Sequence, residues 1–246
     1  MRKNIYQFHV HTKYSPDSDL SIDKLYRELK KRKVTGIAIT DHNTIGGAVE
    51  FQKKYGDKIY TVIGEEIMTS GGEIIGLFLK KEIPMSLTPC ETIIEIKKQN
   101  GLVYIPHPFD QKRYKTCLKY QHIIRNAKDI DMIEVFNGRT VNDADNRKAL
   151  ELSEKLNKMV IYGSDAHSSY ELKFNNSTFN GVITRDNMME ELKSIKILNK
   201  RTNRLIHKYT IYIKIKKMLK AGKLDEAFSF IYNGCKKRLH KTCQKD

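Results

Sequence analysis

The sequence predicts an α/β fold built on a mostly parallel sheet, and three observations carry that reading. Short β-branched runs alternate with amphipathic stretches over the first three quarters of the chain. The amphipathic stretches begin at residues suited to a helix start and stop at breakers. Acids and imidazoles gather at the carboxy ends of the predicted strands, where the site of a parallel α/β barrel or open sheet is built. Barrel and open sheet both satisfy this pattern.

In chain order, the runs that predict strands are 5–10 ("IYQFHV"), 36–40, 59–67, 73–79, 101–105, 131–136, 159–163 and an eighth at 179–184 ("FNGVIT"). Helices are predicted at 21–33, 88–100 and 142–157. In the first, Ile22, Leu25, Tyr26 and Leu29 recur at helical spacing behind Ser21 as N-cap. The second carries Pro89, which a first helical turn tolerates, and ends before Gly101. From about residue 185 the pattern turns helical and predicts an appendage without strand partners, with breaks at Gly222 and Gly234. The predicted division is a domain over 1–190 and a basic helical segment over 191–246.

Composition excludes several classes. Four cysteines lie far apart with no Cys-x-x-Cys pair, which argues against a zinc ribbon and a disulfide scaffold. The opening "MRKNIYQFHVHTKY" lacks the apolar core of a signal peptide, and no run approaches the roughly 18 apolar residues of a bilayer span. A cytoplasmic protein that does not contact membrane is the expectation. The net charge is +16, and residues 196–246 contribute +12 of it, with 15 Lys or Arg against three acids. That segment suits a polyanion such as an oligonucleotide, or forms a solvated helical face.

The stretch "FHVHTKYSPDS" places His9 and His11 one residue apart. Strand alternation projects both to one side and Val10 to the other. "TDH" adds Asp41 and His42, "GEE" adds Glu65 and Glu66, "IPHPF" adds His107, "IEVFNG" adds Glu134 and "GSDAH" adds Asp165 and His167. Such a convergence is electrostatically costly unless cations sit within it. Mixed imidazole and carboxylate donors suit zinc, manganese or iron. The number of candidate ligands exceeds the needs of one ion, so two or three divalent ions follow, with a bridging hydroxide and displacement at phosphorus.

The set "HVH", "TDH", "GEE", "PHP" and "GSDAH", in this order, resembles the PHP (polymerase and histidinol phosphatase) domain, and especially its stand-alone phosphoesterases, over about residues 4–184. The resemblance implies a distorted seven-stranded β/α barrel with a trinuclear metal site at its carboxy-terminal face. It implies His9, His11 and Asp165 as ligands of one ion, Glu66 as a bridging carboxylate, and His42 and His107 as ligands of a second or third. Asp17 and His167 would serve another, with Asp19 as a rival to Asp17. Glu73 stands where many relatives carry histidine, and Glu134 matches the acid of some branches. Asp41 would be a base or an orienting group behind the ligands.

These readings predict a phosphoesterase acting on a phosphomonoester of a nucleotide or similar small metabolite, with His42 or His167 protonating the leaving group. Lys13, Arg113 and Arg139 are candidate phosphate clamps. Two alternatives stand beside it: a phosphodiesterase or exonuclease guided by the basic tail, and a nucleic-acid-binding module with an inactive core. Every candidate ligand precedes residue 168, so the tail's charges are expected to stand apart from the chemistry.

Overall fold

The computed structural model of the chain describes residues 3–198, 202 and 205–242. Its elements run β1 (Asn4–Val10), α1 (Ile22–Lys31), β2 (Gly36–Ile39), α2 (Gly46–Tyr55), β3 (Tyr60–Thr69), β4 (Gly72–Leu77), α3 (Pro89–Lys98), β5 (Leu102–Ile105), α4 (Tyr120–Arg125), β6 (Met132–Asn137), α5 (Asp143–Lys155), β7 (Met159–Ala166), β8 (Asn176–Phe179), α6 (Met188–Leu192), β9 (Lys196–Leu198), α7 (Ile206–Lys220) and α8 (Leu224–Thr242). Strands β1 to β7 pair in sequence order, and β7 and β2 both pair with β1, so the sheet closes into a seven-stranded barrel. All neighbours are parallel except β3–β4 and β4–β5, because β4 runs in reverse. Closure leaves β1 with two partners on one edge. Its first half pairs antiparallel with β8 and its second half parallel with β7.

Local chemistry explains the helix starts. The Ser21 side chain accepts from the Lys24 N–H, Thr88 and Glu91 form a reciprocal capping box with Pro89 in the first turn, and Asn142 accepts from the Ala144 N–H. Alternation then sorts the strands into layers. Tyr6, Phe8, Ala38, Val62, Tyr104, Met132 and Ile161 fill the barrel interior with Met188 and Leu192 of α6. Ile37 and Ile39 pack outward against Leu25 and Leu29 of α1 and Phe51 of α2. Val103, Ile105 and Ile133 pack outward against Ile93 and Ile96 of α3 and Leu152 of α5.

Three expectations change. The eighth strand occupies Asn176–Phe179, ahead of the predicted 179–184. The tail is not wholly helical, since β9 pairs antiparallel with β8. Gly222, at φ +72°, does separate α7 from α8, but Gly234 lies inside α8. Cys90 and Cys117 are free thiols, exposed and buried respectively, and Cys243 lies outside the described residues. Among the described residues, no helix is long and apolar enough to cross a membrane.

Gly36 shows how tightly the interior is filled: a Cβ there would lie 2.0 Å from the Tyr6 ring, which packs edge-on against Phe179. Gly36→Ala should therefore destabilise the barrel by about 1–3 kcal/mol. The midpoint of urea unfolding would show it, and an unchanged midpoint would mean that Tyr6 moves aside freely.

Candidate metal centre

The carboxy-terminal face of the barrel gathers five imidazoles and three central carboxylates, and the backbone is bent to bring them there. Tyr6 and Phe8 face the interior, so simple alternation would turn His9 outward with Gln7. Instead β1 carries a bulge between Phe8 and Val10, with His9 at φ +59°. That turns Val10 out against the α1–α2 layer and His9 inward. His11 lies just past the strand, its ring centroid 5.2 Å from that of His9. The alternation expected over His9, Val10 and His11 holds, and the bulge shifts its phase relative to Tyr6 and Phe8. His107 and Asp165 also adopt positive φ, at +30° and +52°. Glu73 is the second residue of β4, and because β4 is reversed its first residues share a face with the last residues of the other strands.

Glu66 is the hub. Its Oε2 lies 3.4 Å from His9 Nε2, 3.3 Å from His11 Nε2 and 3.2 Å from His42 Nδ1, and its Oε1 lies 3.1 Å from His107 Nε2. Asp165 Oδ1 lies 3.7 Å from His9 Nε2, 3.6 Å from His11 Nε2 and 3.5 Å from His167 Nδ1. Glu73 stands 3.9 Å from His42 and 3.7 Å from His107. Asp17 Oδ1 stands 3.3 Å from His167 Nε2 and 3.7 Å from His42 Nε2. Asp19 instead accepts from Tyr209, so of the two rivals Asp17 faces the centre.

The donor set fits metal ions. His9 Nε2, His11 Nε2, His167 Nε2 and Asp17 Oδ1 are buried without a hydrogen-bond partner, which is costly for polar atoms. Two donors bound about 2.1 Å from one tetrahedral ion lie about 3.4 Å apart, close to several of the separations above. Among the described residues, four overlapping trios could hold an ion: His9–His11–Glu66, His9–His107–Asp165, His11–His42–His167 and His42–Glu66–Glu73. Glu134 belongs to none of them.

Charge and polarity tune the donors. Burial, and then the His167 and His42 rings, hold the His11 pKa well below its usual value, which leaves a neutral imidazole able to ligate. Burial pushes Asp165 and Glu66 up. Arg113, His9 and Arg139 outweigh it at Asp165, His9 and His42 outweigh it at Glu66, and both carboxyls stay well below the usual range. Glu73 is raised, by burial and then by the Glu66 charge.

The family model of the PHP domain matches residues 7–217. The chain belongs to the PHP domain family. It is 42% identical over 165 residues to an uncharacterized protein of Methanocaldococcus jannaschii, an alignment covering 60% of this chain and 92% of the relative. Its fold is similar to PsfC of Pseudomonas syringae, with a TM-score of 0.60 and 17% identity over 87% of this chain and 99% of the other. It is also similar to a Bifidobacterium adolescentis protein described as a "putative metal-dependent phosphoesterase", with a TM-score of 0.55 and 18% identity over 67% of this chain and 88% of that one. Family membership supports a metal-dependent hydrolase.

Other predicted residues of this PHP site fall behind the donors or away from them. Glu134 accepts from the His107 N–H and from Asn137, and its other oxygen is bonded to His9 Nδ1 at 2.9 Å and to the Tyr104 hydroxyl. It therefore orients His9. Asp41 accepts from Thr12 and from Ser15 Oγ, which in turn lies 3.0 Å from His11 Nδ1. Arg113 binds Asp165, Asp110 and Asn137, while Arg139 sits between His167, Glu171 and Thr210. Lys13 points away and pairs with Glu50. Sequence reading missed Ser15, Tyr104, Asn137, Glu171 and Cys117, whose sulfur lies 3.6 Å from His107 Nδ1. No motif marks them. It also placed the tail apart from the chemistry, whereas Lys214 lines the same cavity as His42, Glu66, Asp165 and His167.

Glu65 tests the register. It faces away from the centre, accepts from the Ile83 N–H and is pushed up to about 7 by burial. Glu66→Gln should strip most of the bound metal, and Glu65→Gln should leave metal content near the parent's. Elemental analysis of both variants checks this, and equal losses would displace Glu66 from the hub.

Proposed function

We propose that this PHP protein is a metal-dependent phosphoesterase that hydrolyses a phosphomonoester of a nucleotide or similar small metabolite. The observation that carries the reading is the cluster of buried donor atoms without a hydrogen-bond partner, His9 Nε2, His11 Nε2, His167 Nε2 and Asp17 Oδ1, beside Glu66 and Asp165 and a cavity of about 440 Å³. In this reading His9, His11, Asp17, His42, Glu66, Glu73, His107, Asp165 and His167 hold two or three manganese, zinc or iron ions. Bound there, such ions supply an activated water and offset charge on the phosphoryl oxygens.

The chain's own groups divide the remaining work. His42 is the accessible imidazole of the five, with its side chain 20% exposed where those of the other four are at most 2% exposed. It lines the cavity, and a ring nitrogen of His42 left free of metal would deliver a proton to the leaving oxygen. Every nitrogen of the Arg113 and Arg139 guanidiniums faces a protein group. The two arginines therefore hold Asp165 and His167 in place, in preference to gripping substrate. A cavity of this size admits a small ester, and the inward turn of two tail lysines removes them from guiding a polymer.

Protein reconstituted with manganese should hydrolyse 4-nitrophenyl phosphate, lose that activity on chelation, and turn over a mononucleotide with a higher kcat/KM than a short oligonucleotide. Absence of ester hydrolysis with manganese, zinc and iron alike would overturn the proposal. An oligonucleotide preference that falls steeply with salt would favour the tail-guided exonuclease.

A further inference from the structure

We propose that helix α7 completes the substrate site, with Lys214 meeting the substrate's anionic oxygens at the cavity mouth and Lys217 positioning the helix. The inference rests on the phosphoesterase reading above and assigns it a binding residue outside the barrel strands.

Four anchors fasten α7 to segments that carry site residues. His207 Nε2 lies 3.0 Å from the Arg139 carbonyl oxygen, and Arg139 Nη2 donates to Thr210 Oγ1 at 3.0 Å. The Tyr209 hydroxyl donates to Asp19 at 2.8 Å. Lys217 Nζ donates to the carbonyls of Lys13 and Ser15 at 2.7 and 2.6 Å, at the start of the loop that presents Asp17. Residues 207, 210, 214 and 217 are spaced by three, four and three, which puts them on one face of a helix. That face is turned to the barrel, so Lys214 is held over the cavity between the anchors on either side.

Lys214 is the cation left uncommitted there. Its Nζ rests 5.1 Å from the centre of the Phe230 ring on α8, and among the described residues no carboxylate lies within 4.0 Å of it. Arg113 and Arg139, the other cations of the cavity wall, are engaged by Asp165, Asp110, Glu171 and their neighbours. A phosphoryl dianion entering the cavity therefore finds Lys214 with donors to offer, and charge-assisted hydrogen bonds of this kind are the strong ones. Lys217 differs: its donors are spent on two backbone carbonyls, which suits a strut. Lys216 and Lys220 lie off this face and are exposed.

Three measurements on the metal-loaded full chain test this: calorimetric titration with inorganic phosphate, KM and kcat for 4-nitrophenyl phosphate, and metal content. Lys214→Gln should weaken phosphate binding and raise KM by roughly tenfold or more, with kcat and metal content little changed. Lys214→Arg should restore most of the affinity, and Lys216→Gln should match the parent. Lys217→Gln should lose phosphate affinity through the same contact. The double variant with Lys214→Gln should then be no weaker than Lys214→Gln alone. Additive losses would overturn the positioning role of Lys217. Parent-like phosphate affinity in Lys214→Gln, in protein that still hydrolyses esters, would overturn this inference alone. A parent that neither binds phosphate nor hydrolyses esters would overturn the phosphoesterase reading instead.

Discussion

One buried carboxylate facing four imidazoles is the constraint on which this structure depends. Glu66 is almost fully buried, and His9, His11, His42 and His107 each place a ring nitrogen within 3.4 Å of it. Removing a carboxylate from water costs several kcal/mol unless it is compensated. The four rings do not compensate it as protonated cations in concert, since His11 is held neutral by burial and by its neighbouring rings. Asp165 and Glu73 add further negative charge within a few ångströms. Burial lowers the His9 pKa, but the Asp165, Glu66 and Glu134 carboxylates outweigh it and raise that pKa to about 10, and His42 is raised as well. Without ions, protons therefore offset part of this charge; divalent ions among the donors would take the place of those protons.

Holding so many donors at one point requires the barrel to depart from regularity. The bulge that turns His9 inward, the reversed β4 that brings Glu73 to the carboxy-terminal face, and the positive φ of His9, His107 and Asp165 are all such departures. Non-glycine residues held at positive φ cost of the order of 1–3 kcal/mol each. A layer of contacts behind the donors sustains them. Glu134 holds His9 Nδ1, Ser15 under Asp41 holds His11 Nδ1, and Cys117 and the Asp165 carbonyl oxygen face the Nδ1 atoms of His107 and His167. At His9 and His11 the group behind Nδ1 selects the tautomer and aims the inner nitrogen. Nδ1 of His167 instead meets both the Asp165 carbonyl oxygen and the Arg139 guanidinium, which hold the ring in place. Even a missing side chain contributes: a Cβ on Gly163 would fall 1.7 Å from Glu134 Oε1, so only glycine admits that carboxylate beneath His9.

Most strands were legible because strands covered on both faces read as short apolar, β-branched runs between helical stretches, and the site sits where strands end. The central donors were legible because His and acids at strand ends are chemically conspicuous. What stayed hidden depends on departures from period and on contacts remote in sequence. A bulge at His9 leaves no mark in "HVH". Glu134 looks like a ligand by type and lies instead behind His9, while Asp41 lies behind the ligands as the resemblance implied, since residue type does not say which side of an imidazole an acid will meet. Asn137, which donates to both Glu134 and Asp165 and accepts from Arg113, is an ordinary asparagine until the strands assemble.

The tail was misjudged for a related reason. Read as charge, residues 196–246 are a basic stretch to be explained by a polyanion or by solvent. Read as a helix, His207, Thr210, Lys214 and Lys217 form a stripe that is polar because the surface beneath it is polar. A helix packed on an apolar core advertises its buried face by hydrophobic period. One packed over a cavity of histidines and carboxylates does not, and its inward lysines look the same in sequence as its outward ones. Charge that seems surplus in composition is therefore partitioned by the fold, with Lys214 lining the cavity, Lys217 bonded to the backbone carbonyls of Lys13 and Ser15, and Lys216 and Lys220 left to water.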